Sequence, residues 1–267
     1  MTSQMATATS PEAGVRVERE GAVLSITLVN GEKLNTHTPA TWRRLAAIAP
    51  QVDDGVRVVL LSAEGPSFGA GLDRRMMSPD GVPGEESLAS LAAMPEPEID
   101  RSIEEFQSAF TWWSRTDAVT IAAVQGHAIG ASAQLALACD IMLVADDLKF
   151  ALRETSLGLV PDLAGTWPLV RRVGYSRALE ICGTGRFVGA SEAVAIGLAH
   201  SEHPGDDLIA MQRAMAEAFL GAPEAALRAL KPLLQGAEFR ERIQQEAEER
   251  SAQIGRLGDL GSIVGRS

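Results

Sequence analysis

The segment TIAAVQG, HAIGAS, AQLALACD, IMLVAD (Thr120 to Asp146) constrains this chain more than any other. An apolar run of strand length leads into a glycine turn, a helical stretch and a second apolar run. Strands apolar on both faces belong in a sheet covered on both sides. Two of them joined through a helix predict a right-handed parallel crossover. VRVVLLSAE (Val56 to Glu64) has the same continuous character. VRVERE and AVLSITLVN (Val15 to Asn30) instead alternate, which predicts a hairpin turning at Glu20-Gly21.

Around this core the pattern is helical. Thr38 through Ala49 has apolar residues at helical spacing behind a Thr-Pro start, and Arg101 to Ser114 resumes that period after an irregular stretch, Met76 to Asp100. That stretch, rich in acids and prolines, reads as a surface excursion or lid. Short helices are expected around Gly165 to Val173 and Ser176 to Cys182, and a Ser-capped one from Ser191 that Gly197 stops. Asp206 to Leu220, Pro223 to Gln235 and Glu238 to Ile254 form a helical C-terminal third. The expected organisation is a frayed tail over residues 1–14, an α/β core over 15–204 and a helical region over 205–267.

Several function classes recede at once. A formal net charge of −11 repels phosphate backbones, so nucleic-acid binding is disfavoured. No apolar run approaches the roughly 20 residues of a membrane helix, and the N-terminus lacks the basic and apolar regions of a signal peptide. With two cysteines there is no disulfide framework or Cys-rich metal site. His200 and His203 have no third ligand beside them and read as loop histidines. The expectation is a cytoplasmic protein that uses no metal. Fingerprints for dinucleotides, P-loops and nucleophile elbows are absent.

Two glycine turns follow apolar strands, Gly69-Ala70-Gly71-Leu72 and Gly126 to Ala131. Such turns leave backbone N–H groups free for an anion or oxyanion, and the second gains a helix dipole. Simple chain reversal explains both turns at least as well on spacing alone. Glu154 and Asp162 lie in an apolar neighbourhood containing Leu157, Leu159, Val160 and Leu163, where desolvation would raise a carboxyl pKa. Ion pairs of Glu154 with Arg153 or Arg171, and Asp162 as a helix N-cap, are the structural alternatives.

Taken in order, SFGAGLD (Ser67 to Asp73), AAVQGHAIGASAQLALACD (Ala122 to Asp140) and LGLVPDLAGTWPLVRRVG (Leu157 to Gly174) resemble the crotonase superfamily of enoyl-CoA hydratases and isomerases. The resemblance runs from about Val15 to Gly236; the C-terminal GRLGDLGSIVGRS matches the family poorly. It implies an α/β spiral of ββα units with a helical trimerisation region, forming trimers or hexamers. Apolar Leu227, Leu230, Leu233 and Leu234 suit such contacts. It implies an acyl-CoA thioester substrate, with coenzyme A part of the substrate rather than a cofactor, in fatty acid metabolism. Carried over by position, the oxyanion donors are the N–H groups of Leu72 and Ala131, expected to converge on one point. Lys33, Leu34 and Arg75 are the expected CoA contacts.

The resemblance also implies catalytic carboxylates, and here the chain departs from the two-glutamate hydratase pattern. The first position is Gln134, which cannot exchange a proton; the second is Glu154. Asp162 stands where some enoyl- and dienoyl-CoA isomerases place an aspartate, and LGLVPDLAGTW looks like the phenylacetate-pathway isomerase. Double-bond migration with Asp162 and Glu154 as acid and base is therefore expected ahead of hydration. Arg153 is expected to hold Glu154 ionised while Asp162 stays protonated, so that Asp162 carries more of the isomerisation. A non-catalytic acyl-CoA-binding homologue is the rival from another class.

Overall fold

The alternating segments at the start of the chain pair as a hairpin, and the continuous apolar runs stack behind it in parallel. In a computed structural model, which describes residues 7–8 and 12–264, the strands are β1 (Thr7–Ala8), β2 (Val15–Glu20), β3 (Val23–Leu28), β4 (Val58–Ala63), β5 (Val119–Val124), β6 (His127–Ile129), β7 (Ile141–Ala145), β8 (Lys149–Ala151) and β9 (Ser201–His203). The helices are α1 (Pro39–Ala46), α2 (Leu88–Ala92), α3 (Glu96–Arg115), α4 (Ala131–Ala138), α5 (Thr166–Val173), α6 (Tyr175–Thr184), α7 (Ala190–Ala195), α8 (Leu208–Gly221), α9 (Glu224–Gly236) and α10 (Arg242–Val264). The main sheet has the order β1-β2-β3-β4-β5-β7-β9, and β6 pairs with β8 in a second, small sheet.

The hairpin β2–β3 is antiparallel with Glu20 opposite Val23, and every later pairing is parallel. Successive residues of a strand point to opposite faces. In β4, Val59 and Leu61 enter the larger core with Trp42, Phe106, Phe110 and Trp113, while Val58 and Leu60 pack under α8 with Leu208 and Ala216. That division explains why the strand has no polar face. The C-terminal helices are tied down by buried polar side chains. Gln212 donates to the carbonyls of Leu61 (2.9 Å) and Ile121 (2.7 Å), and Lys231 reaches the Ala118 carbonyl and the Asp140 carboxylate.

Three expectations need correction. Within the expected tail, Thr7–Ala8 adds an edge strand against Glu18 and Arg19; residues 1–6 and 9–11 lie outside the described residues. Helix α3 begins at Glu96 rather than Arg101, because Pro97 is harmless where no intrahelical N–H bond exists and Glu96 and Glu98 favour the positive helix end. Helix α7 begins at Ala190 with Gly189 as its N-cap, and the Ser191 hydroxyl binds Glu202 instead. The excursion after Met76 is fastened to α1: Glu85 accepts the Ala40 N–H at 2.7 Å, and Arg43 bridges Glu86 and Glu105. Among the described residues no helix is long and apolar enough to cross a membrane.

Candidate active site

The two glycine turns meet. Residues 68–73 run between the 34–37 segment and β6, held by both. Gly69 exchanges bonds with the His127 carbonyl and the Ile129 N–H, and Ala70 donates to the Leu34 carbonyl. The His37 N–H donates to the Gly71 carbonyl at 2.8 Å. A trans peptide sets its N–H opposite its C=O, so the Leu72 N–H points away from residue 37. Gly71 has φ +87°, and a Cβ there would lie 2.7 Å from the Ile129 carbonyl oxygen and 3.8 Å from the Ala131 nitrogen. Only glycine fits this approach.

Ala131 is the first residue of α4, and the Gly130 carbonyl already accepts the Gln134 N–H. Its own N–H is one of the donors that a helix start leaves free. Neither the Leu72 nor the Ala131 N–H has a hydrogen-bond partner among the described residues.

Glu154 lies beside these donors, and Asp162 is near enough for its charge to act on Glu154. A Cβ at Gly130 would be 3.4 Å from Glu154 Oε1, so Glu154 lies against the turn that opens α4. Oε1 accepts from Gln134 Nε2 at 2.8 Å; Oε2 is buried without a partner. Burial pushes the Glu154 pKa up, and the neighbouring Asp162 charge adds to the rise. Desolvation raises Asp162 as well. The expectation that an arginine holds Glu154 ionised is overturned. Arg153 lies over the Phe187 ring, Arg171 pairs with Glu238, and no ion pair reaches Glu154 among the described residues. Nor does Asp162 cap α5, whose N-cap is Gly165. Of the expected apolar neighbours only Leu163 is buried; Leu157, Leu159 and Val160 are exposed.

Gln134 has a part that its inability to exchange protons concealed. It is fully enclosed, and its Oε1 accepts the N–H groups of Leu163 (2.9 Å) and Gly165 (3.1 Å). The amide thus clamps the loop that carries Asp162, across a left-handed Ala164 (φ +63°), and holds Glu154 with its other end. Gln107 of α3 adds a bond to the Asp162 carbonyl at 2.7 Å.

The expected CoA contacts are all exposed. Lys33 is exposed, and Leu34 is more than a third exposed in a left-handed conformation. Arg75 forms a bidentate pair with Asp73 (3.0 and 2.8 Å), and Lys33 also acts on that carboxylate, which both cations hold below its usual range.

Spacing along the chain offers no hint of a second buried group. His37 is enclosed, accepts from Trp42 Nε1 at 3.2 Å and lies 3.3 Å from Ser132 Oγ, across 95 residues of chain. Its charge among apolar residues costs enough to lower the pKa from 6.5 to about 4. Between these values the unfolded chain takes up a proton that the folded chain refuses, so stability falls as pH falls. From pH 7 to pH 5 the loss is about 2 kcal/mol. Urea unfolding at both pH values should show that the difference shrinks by this amount in His37→Gln. An undiminished difference would mean that His37 titrates normally.

The mixed α/β body with its helical C-terminal third has the crotonase fold. It superimposes on a Bacillus anthracis enoyl-CoA hydratase with TM-score 0.79 at 26% identity, over 95% of this chain and 96% of that one. A related Thermobifida fusca protein in complex with acetoacetyl-CoA gives TM-score 0.89 at 40% identity, covering 92% of this chain and 96% of that one. In sequence, the 1,2-epoxyphenylacetyl-CoA isomerase of Escherichia coli is 31% identical over 224 residues, which is 82% of this chain and 80% of the isomerase. Residues 18–254 match the enoyl-CoA hydratase/isomerase family, and the chain belongs to that family of enzymes.

Proposed function

We propose that this protein shifts a double bond along the acyl chain of an enoyl-CoA. The thioester oxygen accepts from the Leu72 and Ala131 N–H groups, and the negative charge that builds there during reaction is worth about 2.7–4 kcal/mol per donor. Glu154, which lies against Gly130 at the start of α4, is assigned to the carbon alpha to the carbonyl. It takes a C2 proton, and the electron pair moves into the thioester to give a dienolate. Asp162 returns a proton at the far carbon, C4 in the simplest case, as the double bond settles between C2 and C3. Glu154 ends protonated and Asp162 ionised, and exchange with solvent resets the pair.

The observation that carries this reading is the Gln134 clamp. Its amide is bonded at both ends and neither gives nor takes a proton, so Glu154 and Asp162 are left as the proton carriers. Both are pushed up by burial, and the Asp162 charge adds to the rise at Glu154. The bound acetoacetyl-CoA of the Thermobifida fusca relative supports an acyl-CoA ligand. Lys33, Leu34 and Arg75 would meet its CoA portion.

Hydration of a 2-enoyl-CoA is the second reading, favoured by the unpartnered Glu154 Oε2, which can hold a water. A panel of 2-enoyl-, 3-enoyl- and dienoyl-CoA esters separates the readings. Conversion of 3-enoyl or dienoyl esters with little hydration is expected. Hydration alone would reverse the order, and turnover of none would leave the acyl-CoA-binding alternative. For assembly we propose a trimer, since α9 and α10 expose Leu230, Leu234, Ile243, Ile254 and Leu257. A monomer by light scattering would refute it.

A further inference from the structure

Gly71 is held on both sides by one buried pair. Its carbonyl accepts the His37 N–H, and its own N–H donates to Ser132 Oγ at 3.2 Å. Ser132 is fully enclosed in the first turn of α4, directly after Ala131. Its hydroxyl occupies the space beside Gly69, where a Cβ would come within 2.1 Å of Oγ. Beside the backbone bonds of Gly69 to β6, this hydroxyl adds a side-chain bond between the two oxyanion turns.

The hydrogen-bond directions follow from the donors present. An indole nitrogen can only donate, so Trp42 makes His37 Nδ1 an acceptor and places the proton of the neutral ring on Nε2. Nε2 therefore donates to Ser132 Oγ. With a proton on that nitrogen the imidazole cannot act as a base on the hydroxyl, so a nucleophilic serine is excluded. The hydroxyl is instead turned with its lone pairs toward two donors, His37 Nε2–H and Gly71 N–H.

We propose that His37 and Ser132 are positioning residues for the oxyanion turn: the imidazole fixes the serine hydroxyl as acceptor for Gly71, which sets the direction of the Leu72 N–H. This rests on the reading of Leu72 as a thioester donor. A pair acting through that donor affects the charge built up in the transition state more than ground-state binding.

The test measures kcat and KM on the best enoyl-CoA of the panel, with the absorbance of bound 2,4-hexadienoyl-CoA, whose conjugated thioester shifts to longer wavelength as its carbonyl is polarised. Ser132→Ala is expected to lower kcat about tenfold, one hydrogen bond's worth, with KM within about threefold and a smaller shift. His37→Asn puts an acceptor near Trp42 but cannot reach Ser132, and should behave like Ser132→Ala. His37→Gln extends an amide donor toward Ser132 and should recover most of the kcat and the shift. A pair that only fills space would give equal shifts in all variants, or rescue by Asn instead of Gln; either result overturns the proposal. If the wild type shows no shift at all, Leu72 does not polarise a thioester, and both readings fail together.

Discussion

Asp162→Asn is expected to reduce 3-enoyl to 2-enoyl isomerisation by about 10²–10⁴-fold, the range for loss of a general acid or base. Glu154→Gln is expected to lose as much, because the two carboxyls act at different carbons of one proton shift. The sequence alone suggested a smaller effect for Glu154, on the assumption of an arginine partner. No arginine pairs with Glu154 among the described residues, the Arg153 side chain lying over the Phe187 ring, and burial raises both acids.

The two variants should nonetheless differ in heavy water. Asp162→Asn keeps Glu154 beside the oxyanion turn, so exchange of the C2 hydrogen for deuterium should continue without migration. Glu154→Gln should lose exchange and migration together. Glu154→Gln is expected to leave the fold intact: the side-chain carbonyl it introduces can accept from Gln134, and its amide nitrogen takes the place of an oxygen that has no partner. Exchange surviving in Glu154→Gln and lost in Asp162→Asn would swap the two roles. Full isomerase activity in both would put the proton chemistry elsewhere.

How much of this was legible in the sequence depends on the range of the interactions. The crossover from β5 through α4 to β7 was readable because its apolar runs and glycine turn are local. The start of α3 was not, since Pro95 and Pro97 resemble loop punctuation unless one knows that a helix's first turn tolerates them. Within the site, the glycine turns could be singled out, but their meeting at Gly71 and Ala131 depends on chain closure. His37 lies 95 positions from Ser132 and shares no spacing with it. Gln134 could be recognised as no acid. Its value as a clamp appeared only with the bent loop at Ala164 around it.

That clamp leads to the other large effect. Gln134→Leu keeps the volume but removes the acceptor for two buried backbone N–H groups, Leu163 and Gly165. Each orphaned donor costs about 1–3 kcal/mol, so destabilisation of about 2–6 kcal/mol is expected by urea unfolding, with amide exchange accelerated first at these two residues. Gln134→Glu separates structure from chemistry. One carboxyl oxygen can still accept both N–H groups, while the other meets Glu154 Oε1 where a bond of 2.8 Å now runs. Two ionised oxygens at that distance repel, so the pair keeps a shared proton and one of its pKa values rises well above the ordinary carboxylate range. The folded state then binds more protons than the unfolded one, and stability must fall as pH rises through that value. Gln134→Glu should therefore approach the wild type in stability near pH 5 and lose ground above it. It also supplies the second carboxyl associated with water addition, so hydration of a 2-enoyl-CoA should appear as isomerisation declines. A wild type that already hydrates as fast as Gln134→Glu would show that the amide is no barrier to water addition, and the isomerase reading would give way to the hydratase.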